Sequence, residues 1–169
     1  MTLRSLVHWR ARELGLAAII VFVDQGTKAL VRSTLPSRQS VNIVPGLMDI
    51  TYVRNTGAAF GILNTVEFPF KPVVMTLAAV VALLGVGIYA ASLPSAHRAA
   101  RVGLALILGG AIGNLLDRAM TGYVIDFVDV YWRDHHFWAF NVADSAITIG
   151  VSLMVLDMLG VGRHASETV

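Results

Sequence analysis

The sequence contains no cysteine and few charged residues, and each absence excludes a class of protein. Without cysteine, the 169-residue chain has no thiol nucleophile, no disulfide and no thiolate metal site. Charged residues make up 14% of the chain, whereas soluble domains contain about 25%. Residues 73–93 carry no charge at all, and a helix of that length crosses the roughly 30 Å hydrocarbon core of a bilayer. The composition therefore indicates an integral membrane protein.

Four apolar stretches account for most of the chain. We predict membrane-spanning helices at residues 13–34, 70–93, 100–119 and 138–160. The remaining segments are too short for a separate soluble domain, so residues 1–169 are expected to form one all-α membrane domain. The first span is expected to be retained, because no small-residue cleavage site of a signal peptide follows it.

Basic residues lie in the segments that would share one side of the membrane. They precede span one, separate spans two and three, and follow span four: Arg4, Arg10, Arg12, His97, Arg98, Arg101 and Arg163. Because such residues favour the cytoplasmic side, both termini are predicted to be cytoplasmic. The loops at about residues 36–68 and 119–136 would then lie outside. The net charge is +2, and we interpret the basic residues at the membrane edges as contacts for anionic lipid headgroups rather than for nucleic acid.

The first outer loop has the pattern of a small β-structure. Residues 41–44 and 47–53 predict two short strands joined by a Pro-Gly turn. Met48, Ile50 and Tyr52 would share one face of the second strand, which we expect to lie on the bilayer as an apolar lip. The second outer loop contains aromatic residues typical of an interfacial belt: Tyr131, Trp132, Phe137 and Trp138.

Polar residues at the ends of the spans are the main candidates for function. A charged side chain at the centre of a spanning helix costs roughly 2.5–3.5 kcal/mol, so its retention indicates a partner or a role. Asp24 and Lys28 are four residues apart on span one and can form an ion pair. Span three has small residues at every fourth position, followed by polar side chains: Ala105, Gly109, Gly113, Asn114, Asp117 and Arg118. Span four begins with a polar stripe: Asn141, Asp144, Ser145 and Thr148.

Asp144 has no basic residue within one helical turn of its own span, so its partner must come from another segment in the same leaflet. Asp126 lies on that side. Two carboxylates about 4 Å apart repel each other by about 4 kcal/mol at an effective dielectric constant near 20, so they share one proton. The ionised carboxylate can accept a proton from water while the protonated one polarises a carbonyl group, as in aspartic proteases. Spacing alone does not decide between Asp126 and Asp129.

Other functions are compatible with some of these residues. A proton-coupled transporter also keeps carboxylates in membrane helices, but it predicts a polar path to the inner side, where this chain is apolar. A serine–lysine hydrolase would use Ser145 and Lys28, yet Asp24 favours the charged form of that lysine. A metal site at Asp134, His135 and His136 is disfavoured because adjacent side chains rarely point at one ion. A purely structural protein would have to retain several buried carboxylates for assembly alone.

Five sequence strings occur together in one order and carry a family resemblance: Asp24–Lys28, Asn55–Phe60, Gly113–Arg118, Val124–Phe127 and Phe140–Asp144. Together they resemble the lipoprotein signal peptidases (signal peptidase II) of bacteria, over most of the chain. The resemblance implies cleavage of prolipoproteins on the N-terminal side of a cysteine that carries diacylglycerol, by an aspartate pair and without a cofactor. It also implies a monomer in the bacterial inner membrane, in contact with membrane lipid, with its active site near the outer face.

The resemblance also assigns expected roles to individual residues. The catalytic pair would be Asp126 and Asp144, with Asp126 preferred to Asp129 because it precedes Phe127. The residues expected to line or support the site are Asp24, Lys28, Asn55, Gly57, Asn114, Asp117, Arg118 and Asn141.

Overall fold

The computed structural model describes residues 11–57, 63, 65–93 and 97–160. Four helices and four strands make up this part of the chain. The helices are α1 (Ala11–Thr34), α2 (Lys71–Ser92), α3 (Arg98–Thr121) and α4 (Val142–Met158). The strands are β1 (Ser40–Val44), β2 (Met48–Asn55), β3 (Val124–Trp132) and β4 (His135–His136).

The helices form a membrane-type bundle. Among the described residues, α1, α2 and α3 are each long and apolar enough to cross a membrane, whereas α4 has 17 residues. Helix α3 lies at the centre and packs against α1, α2 and α4. Its small residues allow this close approach, as predicted. A Cβ atom at Gly109 would lie 2.8 Å from the backbone oxygen of Ala17, so only glycine fits there.

The two segments between helices, on one side of the bundle, combine into a single antiparallel sheet. The strand order is β1-β2-β3-β4, so the predicted strands of the first segment pair with a strand from the second. The prediction placed β-structure only between the first two helices and was wrong for residues 124–136. Residues 124–132 are mostly β-branched and aromatic, a composition that fits a pleated, half-buried surface.

One face of the sheet packs on the end of α1 and forms a small hydrophobic core. Tyr52, Ile125 and Phe127 are buried there against Val31, with Ile50 packed beside them. The predicted apolar lip on the bilayer is therefore wrong for Ile50 and Tyr52, whose side chains point into the protein. The register shifts between Ile50 and Val53, which marks a β-bulge in β2.

Helix α4 begins at Val142 rather than at the predicted residue 138. Phe140 instead forms an isolated β-bridge with Val128, and Asn141 is the N-cap of the helix. The Asn141 side chain accepts a hydrogen bond from the Asp144 backbone nitrogen at 2.9 Å. The Asp144 carboxylate in turn accepts one from the Asn141 backbone nitrogen at 3.3 Å. This reciprocal capping box fixes the start of the helix.

Candidate active site

The two predicted catalytic aspartates lie at the same end of the bundle, on different elements. Asp126 belongs to β3 and is 3% exposed. Asp144 is in the first turn of α4 and is partly exposed. The charge of Asp144 acts on Asp126, so the two carboxylates share one electrostatic environment.

Asn141 connects the two aspartates through opposite ends of its side-chain amide. Its Nδ2 atom donates to Asp126 Oδ1 at 2.8 Å, and its Oδ1 atom accepts from the Asp144 backbone nitrogen at 2.9 Å. The same Nδ2 atom reaches the backbone oxygen of Ile125 at 3.2 Å. Because Asn141 is fully buried, this amide holds β3 and the start of α4 in a fixed relation.

Asn114 supports Asp144 from the neighbouring helix. Its Nδ2 atom donates to Asp144 Oδ1 at 2.8 Å. Its Oδ1 atom accepts from Lys28 Nζ at 2.9 Å and from Asn141 Nδ2 at 3.3 Å. The orientation of both asparagine amides is therefore determined by their neighbours.

Lys28 is the centre of a buried ionic cluster beneath the aspartates. Its Nζ atom lies 2.8 Å from Asp24 Oδ2 and 3.0 Å from Asp117 Oδ2. The predicted pair within α1 is therefore present, and Asp117 of α3 joins it. None of the three side chains is more than 2% exposed, so the two carboxylates depend on the single lysine cation between them for compensation of their charge.

Each carboxylate of this cluster also holds the backbone next to a candidate catalytic aspartate. Asp24 Oδ1 accepts from the backbone nitrogen of Ala143 at 3.0 Å, one residue before Asp144. Asp117 Oδ2 accepts from the backbone nitrogen of Ile125 at 3.2 Å, one residue before Asp126. The Lys28 cluster thus positions both segments that carry the aspartates.

Gln25 belongs to this cluster but was missed as a site residue at the sequence level. Its Nε2 atom lies within hydrogen-bond distance of Asp24 Oδ2, Asp117 Oδ1 and the backbone oxygen of Gly113, at 3.2, 3.3 and 3.1 Å. Its position between Asp24 and Lys28 in the first motif string was the available signal.

The opposite side of Asp126 contacts the end of β2. Asn55 Nδ2 donates to Asp126 Oδ2 at 3.0 Å, and Asn55 Oδ1 accepts from the Gly57 backbone nitrogen at 2.9 Å. Arg118 Nη2 donates to the Gly57 backbone oxygen at 3.0 Å, which fixes the chain after β2. Residues 58–60 of this motif string lie outside the described residues.

The surroundings of Asp126 favour its protonated form. Burial, together with the nearby Asp144 carboxylate, raises the pKa of Asp126 to about 7, although hydrogen bonds from Asn55 and Asn141 and the charge of Lys28 oppose the rise. A carboxyl group with this pKa is partly protonated near neutral pH and can donate a proton.

The other residues considered for catalysis make contacts away from the two aspartates. Asp129 contacts His136 Nδ1 at 2.9 Å on an exposed part of the sheet. Ser145 and Thr148 donate to the backbone oxygens of Asn141 and Asp144 at 3.0 and 2.9 Å, as expected for hydroxyls in membrane helices. Among the described residues, no group of three or more His, Asp or Glu side chains could hold a metal ion.

The fold and this geometry define a class, a helical membrane protein with two carboxylates in one buried polar site. Comparison with known proteins gives the family. The family model described as signal peptidase (SPase) II matches residues 16–160. The chain belongs to the signal peptidase II family.

Relatives from several bacteria are similar over nearly their whole length. A lipoprotein signal peptidase of Geobacter metallireducens is 47% identical over 89% of this chain and 91% of that protein. One from Solibacter usitatus is 40% identical over 95% of this chain and 97% of that protein. A solved bacterial membrane enzyme, studied by the in meso method, superimposes with a TM-score of 0.73 at 30% identity, covering 95% of each chain.

Proposed function

We propose that this protein is an aspartic endopeptidase that removes signal peptides from bacterial prolipoproteins, with Asp126 and Asp144 as its catalytic residues. Family membership supports the activity. The observation that carries the residue assignment is the pair of hydrogen bonds through which Asn141 connects both aspartates.

In the proposed reaction, the two aspartates begin with one proton between them. We assign that proton to Asp126, the more buried of the two side chains, whose pKa is raised by burial to about 7, and Asp144 then acts as the ionised carboxylate. The positive end of the α4 dipole favours a carboxylate at this position in the first turn. Asp144 accepts a proton from water as the water oxygen attacks the scissile carbonyl carbon, while Asp126 donates its proton to the carbonyl oxygen.

The tetrahedral intermediate then collapses and restores both residues. Asp126 takes a proton back from a hydroxyl of the intermediate, and Asp144 passes its proton to the leaving amine as the C–N bond breaks. The products are the released signal peptide with a new carboxyl group and the mature protein with a new amine. Asn55, Asn114 and Asn141 hold the carboxyl groups in place throughout, since each donates to one of their oxygens.

The same proposal sets the orientation in the membrane. Helix α4 is the fourth span, both termini face the cytoplasm, and the sheet lies at the outer face of the inner membrane. The basic segment at His97 to Arg101 supports this orientation. Residues 1–169 act as one domain and as a monomer.

The substrate is a prolipoprotein whose cysteine carries diacylglycerol. A lipidated cysteine remains at the outer surface of the bilayer, and the signal helix lies in the hydrocarbon region. An extended segment between them reaches a site at the depth of Asp126 and Asp144. Membrane lipid surrounds the apolar helices, and no nucleic acid takes part.

The transporter alternative gains no support. In the described residues, the polar groups at the inner end form local pairs between Arg101 and Glu13 at 2.6 Å and between His97 and Asp157 at 2.7 Å. These pairs join neighbouring helices, which is a structural role.

The test uses purified full-length protein in detergent with one prolipoprotein, prepared with and without diacylglycerol on its cysteine. We expect cleavage of the lipidated form alone, insensitive to a chelator, and its loss in Asp144→Asn. Asn42→Ala, a change on the exposed edge of the sheet, is the control that keeps activity. Equal cleavage of both forms would contradict the substrate proposal, and activity retained in Asp144→Asn would contradict the mechanism.

A further inference from the structure

An arginine stacked on two tyrosines lies on the sheet face turned away from the aspartates. The guanidinium carbon of Arg54 is 5.5 Å from the ring centre of Tyr52 and 5.0 Å from that of Tyr123. The Tyr52 ring is fixed by the hydrophobic core that it forms with Val31 and Ile125. Arg54 itself is exposed, so its charge is held in one place but remains accessible.

A second arginine adds its charge to the same place. Arg32 lies exposed in the last turn of α1, and its charge acts on both Tyr52 and Tyr123. Burial raises the pKa of Tyr52, but Tyr123, Arg54 and Arg32 together outweigh it and lower that pKa. In the part of the chain that the structure describes, neither Arg32 nor Arg54 forms an ion pair with a carboxylate. We call Arg32, Tyr52, Arg54 and Tyr123 the arginine–tyrosine cluster.

The location of this cluster limits what could neutralise its charge. Arg32 lies in the last turn of α1, and Phe22 and Leu30 of this helix are 79% and 62% exposed, as expected for a surface in contact with lipid. In the orientation proposed above, the arginines therefore lie where this apolar surface ends, at the depth of the outer lipid headgroups. Basic residues are disfavoured on the outer side of a bacterial membrane, so two uncompensated arginines there indicate a bound anion.

We propose that the arginine–tyrosine cluster binds the phosphodiester headgroup of an anionic phospholipid in the outer leaflet. Guanidinium groups bind phosphate oxygens in a bidentate manner. Stacking on Tyr52 and Tyr123 orients Arg54 in advance, which reduces the entropy lost on binding. The lipid acyl chains lie along the apolar surface of α1. This binding site is separate from the aspartates; it rests on the proposed orientation in the membrane but not on the peptidase activity.

Native mass spectrometry of the full-length protein tests the proposal, with phosphatidylglycerol and phosphatidylcholine of the same acyl chains as probes. We expect preferential retention of phosphatidylglycerol by the unmodified protein. In the double variant Arg32→Gln/Arg54→Gln, its binding should be weaker by a factor of about ten or more. The matched control Arg12→Gln/Arg133→Gln removes the same number of charges elsewhere and keeps the preference. If the double variant does not fold, the single variants Arg32→Gln and Arg54→Gln replace it. Each is expected to weaken phosphatidylglycerol binding, and unchanged binding in both would equally overturn the proposal.

Three results would overturn the proposal. They are equal retention of both lipids by the unmodified protein, unchanged phosphatidylglycerol binding in Arg32→Gln/Arg54→Gln, and equal loss in the Arg12→Gln/Arg133→Gln control. Competition by glycerol phosphate at the concentrations where the lipid binds would assign the site to a soluble phosphate instead, and would also contradict it. A peptidase assay on the same samples separates this outcome from a failure of the proposed function.

Discussion

Lys28 Nζ lies 2.8 Å from Asp24 Oδ2, in a contact where the side chains are 1% and 0% exposed. This ion pair affects the position of both candidate catalytic residues. Asp24 accepts a hydrogen bond from the backbone one residue before Asp144. Asp117, the second carboxylate in contact with Lys28, accepts one from the backbone one residue before Asp126. The lysine is thus a positioning residue for the whole site.

Replacement of this lysine should destabilise the protein strongly. Lys28→Met leaves two buried carboxylates without a cation, which costs about 3–5 kcal/mol, and thermal unfolding in detergent measures the loss. The comparison is Arg98→Met, which removes a positive charge from an exposed position in the first turn of α3. Equal losses for the two variants would contradict the central place of Lys28.

Two substitutions at Asn141 should separate stability from catalysis. Asn141→Ala loses the cap of α4, at a cost of about 1 kcal/mol, and also the hydrogen bond to Asp126. Asn141→Ser keeps a capping oxygen but has no amide donor, so stability should largely return while activity stays about a hundredfold low. Measurement of kcat and of the unfolding temperature for both variants checks this. Recovery of activity in Asn141→Ser would show that the amide donor is dispensable.

The raised pKa of Asp126 predicts how stability depends on pH. The folded protein keeps the Asp126 proton up to about pH 7, whereas the unfolded chain releases it near pH 4. The folded state therefore binds more protons between these values, and the free energy of unfolding falls as pH rises from about 4 to 7, by about 4 kcal/mol at most. The unfolding temperature of Asp126→Asn should therefore fall less between pH 4 and 7 than that of the unmodified protein. The unfolding temperature of Asp129→Asn should show the same dependence on pH as the unmodified protein. A slope unchanged in Asp126→Asn would contradict the assignment.

The close approach of α1 and α3 predicts the effect of one added methyl group. A Cβ atom at Gly113 would lie 2.5 Å from Asp24 Oδ2, so Gly113→Ala must displace that carboxylate and should cost about 1–3 kcal/mol as well as activity. Gly85→Ala in α2 is the matched control, because no atom lies within 4 Å of its added Cβ. A neutral effect at both positions would show that Asp24 can move without consequence.

The sequence predicted the helices and the polar cluster because each depends on local patterns. Apolar length defines α1 to α3, and the spacing of Asp24 and Lys28 on one helix predicts their ion pair. The pairing of β2 with β3 joins segments about 70 to 80 residues apart, and no local pattern specifies it. The β-bulge between Ile50 and Val53 is likewise a property of the paired strands. The choice of Asp126 over Asp129 required the family resemblance, since both side chains come from one short strand.

Prolipoprotein cleavage by Asp126→Asn and Asp129→Asn, measured side by side, tests the central claim most directly. The two residues lie three positions apart on β3, so the variants differ only in which carboxylate is removed. We expect Asp126→Asn to be folded and inactive and Asp129→Asn to cleave the lipidated substrate at the normal rate. Cleavage by Asp126→Asn together with an inactive, folded Asp129→Asn would contradict the account.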